Sequence, residues 1–338
     1  MVTRVIKVDA THPDPAAIDE AASILRAGGL VAFPTETVYG LGGRALDPAA
    51  LARIFAAKGR PSTHPVIAHV EDEAGAVALA AHWGEAASRF ARAFWPGPLT
   101  IVVPRSAHVP AAIGGGTDSI GIRAPAHGVA RALLAALREP IAAPSANRYQ
   151  ALSPTRAEHV LASLGGVVDL ILDGGSCDRG LESTVLDVRG SIPRVLRPGS
   201  IDLAALAAVD PRGAHGGGIA PAAGEARASP GMDAKHYAPR AALRLASSLA
   251  EALAEADERA ERGETVGLVV RGPIAARSSR EEVVMMALPS DAVGYARALY
   301  ATLHELDARS VDSIVVEAVP DDGEWHAVAD RLLRASIR

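Results

Sequence analysis

One segment, residues 209–240, differs in composition from the sequence on either side of it. The run Asp210-Pro-Arg-Gly-Ala-His-Gly-Gly-Gly-Ile-Ala-Pro-Ala-Ala-Gly224 is made largely of Gly, Ala and Pro and carries little that a hydrophobic core could bury. Stretches of this kind are typical of linkers between domains. The sequence therefore predicts two domains, residues 1–208 and 241–338, joined by a linker over 209–240.

Composition places both domains in the α/β class. The chain has 338 residues, enough for two separate cores, and 49% of them are hydrophobic while only 4% are aromatic. The cores must therefore consist mainly of Ala, Val, Leu and Ile. Such cores fit helices packed on a buried, mostly parallel sheet better than an aromatic-rich sandwich.

The first domain reads as a twisted mixed sheet with helices, because its strands outnumber the helices between them. The apolar periodicity predicts strands near the N-terminus and at 30–33, 66–70, 99–103, 119–123, 141–143, 169–172, 184–188 and 194–196. It predicts helices at 15–27, 48–58, 127–137 and 156–163. The helix at 48–58 starts with Asp47 as N-cap, and a Thr155-x-x-Glu158 capping box is expected to open the last one.

The second domain reads as a small open parallel sheet with helices on its faces, a Rossmann-like arrangement. Leu245, Leu249 and Leu253 predict a helix that ends at Gly263. Strands are expected at 266–270, 282–287 and 313–316, and a final helix at 325–335. A helix between the last two strands is expected to point these residues inward: Val293, Ala296, Tyr300, Leu303 and Leu306.

Charge and cysteine content narrow the function classes. The formal net charge of −5 argues against a protein that coats nucleic acid or an anionic membrane. The single cysteine, Cys177, can form neither an internal disulfide nor a Cys-based zinc cluster, and we interpret it as a small residue in a glycine-rich turn. With no signal peptide and no apolar run of membrane-spanning length, we expect a cytoplasmic protein.

Polar clusters follow several apolar strands of the first domain, although the common motifs for phosphate loops, hydrolase elbows and zinc proteases are absent from the sequence. The clusters are Pro34-Thr-Glu-Thr-Val-Tyr-Gly-Leu-Gly42, Lys58-Gly-Arg-Pro61, Ser119-Ile-Gly-Ile-Arg123, Ala142-Ala-Pro-Ser-Ala-Asn147 with Ser153-Pro-Thr155, Glu182-Ser-Thr184 and Arg197-Pro-Gly199. Each alone also fits an ordinary turn. Because ligands bind at strand ends in open α/β sheets, their number favours one shared site.

Two of these clusters contain cations whose purpose the sequence leaves open. Lys58 and Arg60 suit a polyphosphate, Lys as a point charge and Arg as a bidentate fork, but positive charge is also favoured at a helix C-terminus. Arg123 ends an apolar strand and requires an anionic partner, which is either a substrate carboxylate or a structural acidic residue.

The order of the motifs resembles the YrdC-like threonylcarbamoyl-AMP synthases. The resemblance rests on the clusters above and on Trp95-Pro-Gly-Pro-Leu-Thr100. The later block, Ser229-Pro-Gly-Met and Lys235-His-Tyr-Ala-Pro239, is similar to the longer, two-domain members of that family. The resemblance implies an enzyme that joins L-threonine, bicarbonate and ATP into threonylcarbamoyl-AMP, which downstream machinery uses to modify tRNA.

The resemblance also implies residue roles. The positions that match those holding L-threonine are Thr35, His69, Arg123, the main-chain carbonyl of Ala143, and Ser183. The positions that match those holding ATP are Lys58, Arg60, Ser119, Ser145, Asn147, Ser153, Arg197 and Tyr237. Lys58 and Arg60 are the expected catalytic residues. No dedicated metal site is expected, so Mg²⁺ would arrive with ATP, and residues 229–239 are expected to fold over the nucleotide with Tyr237 touching it.

The sequence departs from the family pattern at two places. His64-Pro65 stands where the family usually has Asn-Pro, and Tyr149-Gln150 stands where it usually has Ser-Gly. Two other functions remain open at this stage. One is a carbamoyl-transferring maturation enzyme, against which the single cysteine counts, since such proteins carry Cys-rich zinc modules. The other is an RNA-binding module, against which the net charge counts.

Overall fold

The computed structural model describes residues 2–210, 212, 215–216, 236–274, 276 and 278–337. Its described residues form two compact units. The first unit holds those within Met1–Tyr149, Ser153–Asp178 and Glu182–Met232. The second holds Gln150–Leu152, Arg179–Leu181 and the described part of Asp233–Arg338. Two short pieces of the predicted first domain therefore belong to the second unit.

An eleven-stranded sheet forms the centre of the first unit. Its strands are β1 (Arg4–Lys7), β2 (Val31–Phe33), β3 (Gly40–Arg44), β4 (Ile67–His69), β5 (Leu99–Pro104), β6 (Ser119–Arg123), β7 (Ile141–Ala142), β8 (Leu170–Asp173), β9 (Thr184–Asp187), β10 (Arg194–Arg197) and β11 (His215–Gly216). Their spatial order is β1-β8-β2-β3-β7-β4-β6-β5-β9-β10-β11. The sheet contains parallel pairs such as β4 with β6 and antiparallel pairs such as β5 with β6, which confirms the predicted mixed sheet.

Helices cover this sheet. They are α1 (Pro15–Arg26), α2 (Pro48–Lys58), α3 (Glu73–Leu79), α4 (Glu85–Phe94), α5 (Gly128–Leu137), α6 (Ala157–Leu164) and α7 (Leu203–Val209), with a 3₁₀ turn at Ala111–Gly114. Asp47 caps α2 by accepting from the N–H groups of Ala49 and Ala50, and Gly59 ends it in the left-handed conformation, as expected for an Asp-Pro start and a Gly stop.

Among the described elements of the first unit, three helices and two strands escape the sequence prediction, namely α3, α4, α7, β3 and β11. Strand β3 was missed because it contains three glycines, which are typical of a loop. In the structure these glycines allow close packing. A Cβ added to Gly42 would lie 2.8 Å from the ring of Phe33 and 3.1 Å from Ile141. The capping box at Thr155 is also wrong: Arg156 holds the N-cap position of α6 without a side-chain bond. The N–H of Thr155 instead donates to His159 Nδ1.

The second unit contains a four-stranded parallel sheet. Its strands are β12 (Ala242–Ala246), β13 (Val266–Arg271), β14 (Val283–Leu288) and β15 (Ser313–Glu317), in the order β12-β15-β13-β14. Its helices are α8 (Leu249–Glu261), α9 (Ala292–Ala308) and α10 (His326–Ser336). This is the predicted open parallel sheet, with two corrections. Leu245 lies on β12 and not on a helix, and Val293 is 65% exposed because it lies on the outer face of α9.

The predicted linker is only partly described. Its residues 215 and 216 form β11, which pairs in parallel with β10, so at least this piece belongs to the large sheet. Residues 217–235, which include most of the block that was expected to fold over the nucleotide, lie outside the described residues.

Candidate active site

Strand β6 carries both ends of the site on one face. Ser119 begins the strand and Arg123 ends it, and because side chains alternate along a strand, both point to the same side. Four residues at 3.3 Å each separate the two ends by about 13 Å. Gly121 lies between them, and a side chain there would meet Thr100 Cγ2 at 3.1 Å. The face therefore has a polar group at each end and no side chain in the middle.

The Arg123 guanidinium is fixed from several directions. Its Nε donates to the carbonyl of Gly97 at 3.2 Å, and its Nη1 donates to Thr37 Oγ1 at 2.9 Å. Thr37 Oγ1 in turn lies 2.8 Å from Thr35 Oγ1, which donates to the carbonyl of Val38. Thr35 therefore connects to Arg123 through Thr37.

Glu36, between these two threonines, supplies the anionic partner of Arg123. Its Oε1 lies 2.6 Å from Arg123 Nη2, and its Oε2 accepts from the N–H of Ala126. Burial opposes its ionisation, but Arg123 outweighs burial and holds the pKa of Glu36 below its usual value. Of the two partners that the sequence left open for Arg123, the structural acid is present. Neither Oε1 nor Nη2 meets the geometry of a directed hydrogen bond, so Arg123 retains N–H groups for a further acceptor.

His69 lies beside Arg123, because the two residues are partners in the β4–β6 register. Burial, assisted by the charge of Arg123, lowers the pKa of His69 to about 3, so its imidazole is neutral at neutral pH. The ring packs edge-on against Phe33, with centroids 6.3 Å apart. Its buried Nδ1 has no hydrogen-bond partner among the residues that the structure describes. A buried polar atom in this state calls for a partner, which a ligand can supply.

Ser183 joins the two halves of the predicted site. Its Oγ lies 2.8 Å from Thr100 Oγ1 and accepts from Arg197 Nη2 at 3.1 Å. Arg197 also donates through Nε and Nη2 to the carbonyl of Ser183. Gly199 allows this approach, because a Cβ there would lie 2.3 Å from the N–H nitrogen of Thr184. A residue predicted to hold threonine thus contacts one predicted to hold ATP.

Lys58 is buried and organises the Ser-Ala-Asn loop. Its Nζ donates to the carbonyls of Ser145 and Asn147 and lies 3.3 Å from Asn147 Oδ1. Burial and the nearby charge of Arg60 hold the pKa of Lys58 well below its usual value. Lys58 forms no ion pair in the described part of the chain, so no protein carboxylate offsets its charge there.

Arg60 is buried next to Lys58, and its Nη2 donates to the carbonyl of Pro65 at 2.9 Å. Its guanidinium carbon lies 5.9 Å from the centre of the Tyr149 ring. The ring of His64 meets the same tyrosine at a centroid distance of 5.4 Å. The two positions that depart from the family pattern are therefore in contact beside Arg60.

The remaining predicted residues of the first unit lie around these groups. Ser119 Oγ is 2.9 Å from Thr117 Oγ1, and Ser153 Oγ donates to Glu182. The N–H of Ala143 donates to the carbonyl of Ile67, which fixes the start of the Ser-Ala-Asn loop against β4. Sequence reasoning did not assign Glu36, Thr37, Thr100 or Glu182 to the site, although all four lie within the motifs it quoted.

Tyr237 belongs to the second unit. Its ring packs against Arg331, whose guanidinium carbon lies 4.9 Å from the ring centre. The ring centres of Tyr237 and Tyr300 are 6.1 Å apart. Its backbone is left-handed, with φ 60°. That conformation is rare for a bulky residue and often marks a functional constraint. Its role toward ATP stays a prediction.

Three further observations bear on the function. Among the described residues, no group of three or more His, Cys, Asp or Glu side chains is placed to hold a metal ion. None of the helices described is both long and apolar enough to cross a membrane. Cys177 is buried, and burial raises the pKa of its thiol, as expected for a structural residue and not a nucleophile.

Two family models together match most of the chain. One, described as "Telomere recombination" (Sua5_yciO_yrdC), matches residues 23–199. The other, described as "Threonylcarbamoyl-AMP synthase, C-terminal domain", matches residues 201–336.

Named relatives match over nearly the same length. The threonylcarbamoyl-AMP synthase of Pyrococcus abyssi is 39% identical over 321 residues, which cover 94% of this chain and 93% of that protein. The Bacillus subtilis threonylcarbamoyl-AMP synthase is 37% identical, covering 94% and 92% respectively. The crystal structure of P. abyssi Sua5 complexed with L-threonine superposes with a TM-score of 0.90 at 37% identity, covering 99% of this chain and 98% of that one.

Proposed function

Because this chain belongs to the threonylcarbamoyl-AMP synthase family, we propose that it forms threonylcarbamoyl-AMP and pyrophosphate from L-threonine, bicarbonate or carbon dioxide, and ATP. The observation that carries the proposal is the face of β6, where a fixed, buried Arg123 lies at one end. At the other end, Gly114 packs against Ser119 and the adjacent Gly115 packs against Thr63 and Pro65, and the carbonyl of Pro65 accepts from Arg60. An amino acid and a nucleotide can be held there with their reacting groups between them.

Arg123 is the residue that we assign to the threonine carboxylate. Its position is fixed by Gly97, Thr37 and Glu36, so it is oriented before the substrate binds. Neutral His69 offers Nδ1 to a polar group of threonine without placing a second positive charge beside Arg123. Thr35, Ser183 and the carbonyl of Ala143 complete the threonine set that we propose.

The nucleotide set consists of residues whose charge and hydrogen bonds suit phosphate, ribose and base: Lys58, Arg60, Ser119, Ser145, Asn147, Ser153, Arg197 and Tyr237. Lys58 and Arg60 supply the charge that a triphosphate requires. ATP carries its own Mg²⁺ in this proposal, since the described residues provide no acidic cluster for a resident ion.

The reaction needs positioning more than covalent catalysis. The unprotonated amine of threonine adds to carbon dioxide and loses a proton, giving a carbamate. A carbamate oxygen then attacks the α-phosphorus of ATP, and the bond from that phosphorus to the bridging oxygen breaks, releasing pyrophosphate. Lys58 and Arg60 neutralise the charge that builds on the phosphates. This explains why cations and hydroxyls lie at the site and why no nucleophile is required.

The product is a mixed anhydride that water hydrolyses, so an enzyme that transfers the threonylcarbamoyl group must consume it promptly. We propose that this acceptor is tRNA, through separate downstream machinery in the cytoplasm. The chain itself, with its net charge of −5, is not expected to bind nucleic acid tightly.

The decisive test is to incubate the full chain with ATP, L-threonine and bicarbonate and to detect threonylcarbamoyl-AMP by mass spectrometry together with pyrophosphate release. L-Valine is the matched control substrate, because a site that hydrogen-bonds a hydroxyl rejects the apolar isostere by about 10⁴-fold. Formation of the adenylate with threonine and not with valine is expected. Absence of the adenylate, or equal turnover of both amino acids, contradicts the proposal.

A further inference from the structure

The two departures from the family pattern are one structural feature. His64 and Tyr149 are 85 positions apart in the sequence, yet their rings meet edge-to-face, with centroids 5.4 Å apart and planes at 64°. This is a favourable geometry for an aromatic pair. The contact joins the loop that follows Arg60 to the loop that follows Asn147.

Arg60 is the residue that this pair touches. The guanidinium carbon of Arg60 lies 5.9 Å from the Tyr149 ring centre, within the range of a cation–π contact. Its Nη2 donates to the carbonyl of Pro65, the residue directly after His64. The tyrosine side and the histidine side therefore both hold the same guanidinium.

Backbone hydrogen bonds hold the loops that carry His64 and Tyr149, so the two rings have fixed positions. The N–H of Tyr149 donates to the carbonyl of Lys58 at 2.8 Å, and the N–H of His64 donates to the carbonyl of Pro61 at 3.1 Å. Gly115 packs against the loop that carries His64, where a Cβ would lie 2.5 Å from the carbonyl oxygen of Thr63. Neither loop can shift far without breaking these contacts.

We propose that His64 and Tyr149 are a coupled positioning pair, which orients the Arg60 guanidinium toward the phosphates of the bound nucleotide. Tyr149 supports Arg60 directly, and His64 supports the Tyr149 ring. An Asn at position 64 or a Ser at position 149, the residues usual in the family, provides no ring for this arrangement. The inference rests on the proposed function, because it assigns Arg60 to the phosphates.

Coupling has a measurable consequence. If only one ring is replaced, the remaining one loses its partner and Arg60 is held less well. We expect His64→Asn and Tyr149→Ser each to raise the KM for ATP roughly three- to ten-fold, the size expected of an aromatic or cation–π contact. Because Tyr149→Ser already removes the ring that His64 supports, adding His64→Asn should change little more. The two effects are therefore less than multiplicative.

The experiment uses the full chain and six proteins: wild type, His64→Asn, Tyr149→Ser, the double variant, Tyr149→Phe and His108→Asn. Tyr149→Phe keeps the ring and should keep the wild-type KM for ATP. His108→Asn makes the same exchange at an exposed histidine and should change nothing. For each protein, KM for ATP, KM for L-threonine and kcat are measured, and binding of a non-hydrolysable ATP analogue is measured without the other substrates.

We expect His64→Asn and Tyr149→Ser to raise the KM for ATP and to weaken binding of the ATP analogue, while the KM for L-threonine and kcat stay unchanged. Tyr149→Phe should keep the wild-type values, and the effects of the two single variants should be less than multiplicative in the double variant. A general loss of folding would instead lower kcat and raise both KM values, and this outcome for both Ser and Phe at position 149 overturns the proposal. Multiplicative effects, or an unchanged KM for ATP in both single variants, also overturn it. If wild type forms no adenylate at all, the proposed function fails first, and analogue binding alone then decides the pairing by the same criteria.

Discussion

The end of the site that we assign to threonine and the end that we assign to the nucleotide balance charge in different ways. At the threonine end, the buried Arg123 has a buried carboxylate, Glu36, 2.6 Å away. At the nucleotide end, the buried Lys58 contacts only uncharged oxygens, those of Ser145 and Asn147, in the described part of the chain. A carboxylate of the protein neutralises the charge of Arg123, whereas the dipoles of uncharged oxygens surround the charge of Lys58.

This difference matches the ligands that we propose. Threonine has no net charge, so a site with its own balanced pair can bind it without creating an excess of either sign. ATP carries several negative charges, and they stabilise the charged form of an uncompensated lysine whose pKa burial otherwise holds low. The two ends also differ in sequence. His64 and Tyr149, which depart from the family pattern, lie beside Lys58 and Arg60, and neither contacts Arg123 in the described part of the chain.

The largest effect is expected from breaking the balanced pair. Arg123→Gln leaves Glu36 buried without its cation, so we expect the free energy of unfolding to fall by about 3–5 kcal/mol along with loss of threonine binding. Urea denaturation with calorimetric titration of L-threonine measures both. The control is the double variant Glu36→Gln with Arg123→Gln, which should regain more than half of the stability and none of the binding. A double variant as unstable as the single one shows that the two charges are not a pair.

A smaller effect, restricted to ATP, is expected from Lys58→Met. Removing the uncompensated cation should weaken ATP binding by about 1.5–3 kcal/mol, the usual size for a charged hydrogen bond, while threonine binding stays as in the wild type. The stability of Lys58→Met should fall less than that of Arg123→Gln, because burial already disfavours the lysine charge. Calorimetry with each substrate alone separates the two ends. Equal losses for both ligands would show that the loop, and not the charge, is what Lys58 provides.

The pH dependence of stability tests the neutral histidine at the threonine end. The pKa of His69 is about 3 in the folded chain, against 6.5 as its ordinary value. Between these values the unfolded chain binds a proton that the folded chain does not, so stability rises with pH across this window and is lost as pH falls. From pH 6.5 to 5 the loss due to His69 should be about 1.6 kcal/mol. His69→Asn should be less sensitive than wild type by that amount, whereas exposed His12→Asn should follow the wild type.

Apolar periodicity was sufficient for most of the sheet, since buried strands such as β5 and β8 consist mostly of apolar residues. It failed at β3, where glycine is selected for close packing against Phe33 and Ile141, which a local pattern cannot show. It failed also at Leu245, where the same leucine spacing fits the end of a strand followed by a helix. Long-range packing decided both cases.

The site shows a similar limit. The ordered motifs identified residues that lie around β6, but they did not show which of these residues pair with each other. Glu36 lies in the motif Pro34–Gly42, directly between Thr35 and Thr37. That position beside a predicted site residue was the only local sign that Glu36 belongs to the site. The pairing of Glu36 with Arg123 joins residues 87 positions apart, and so it follows only from the fold. Likewise, the two departures at His64 and Tyr149 looked separate until the fold brought their rings together.

The smallest expected effect comes from Gln150, which follows the nucleotide end and stands where the family usually has Gly. Its backbone is left-handed, with φ 65°, a conformation that costs a residue with a side chain about 1 kcal/mol more than it costs glycine. Gln150→Gly relieves this strain but adds freedom to the unfolded chain, so we expect a net gain below about 1 kcal/mol, read as a small rise in the midpoint of thermal denaturation. Gln150→Ala keeps the strain and should show no gain. Arg138→Gly, at the left-handed end of α5, calibrates the relief at a site remote from the nucleotide end. If Arg138→Gly stabilises the chain while Gln150→Gly destabilises it, the glutamine side chain itself makes a contact worth more than the strain.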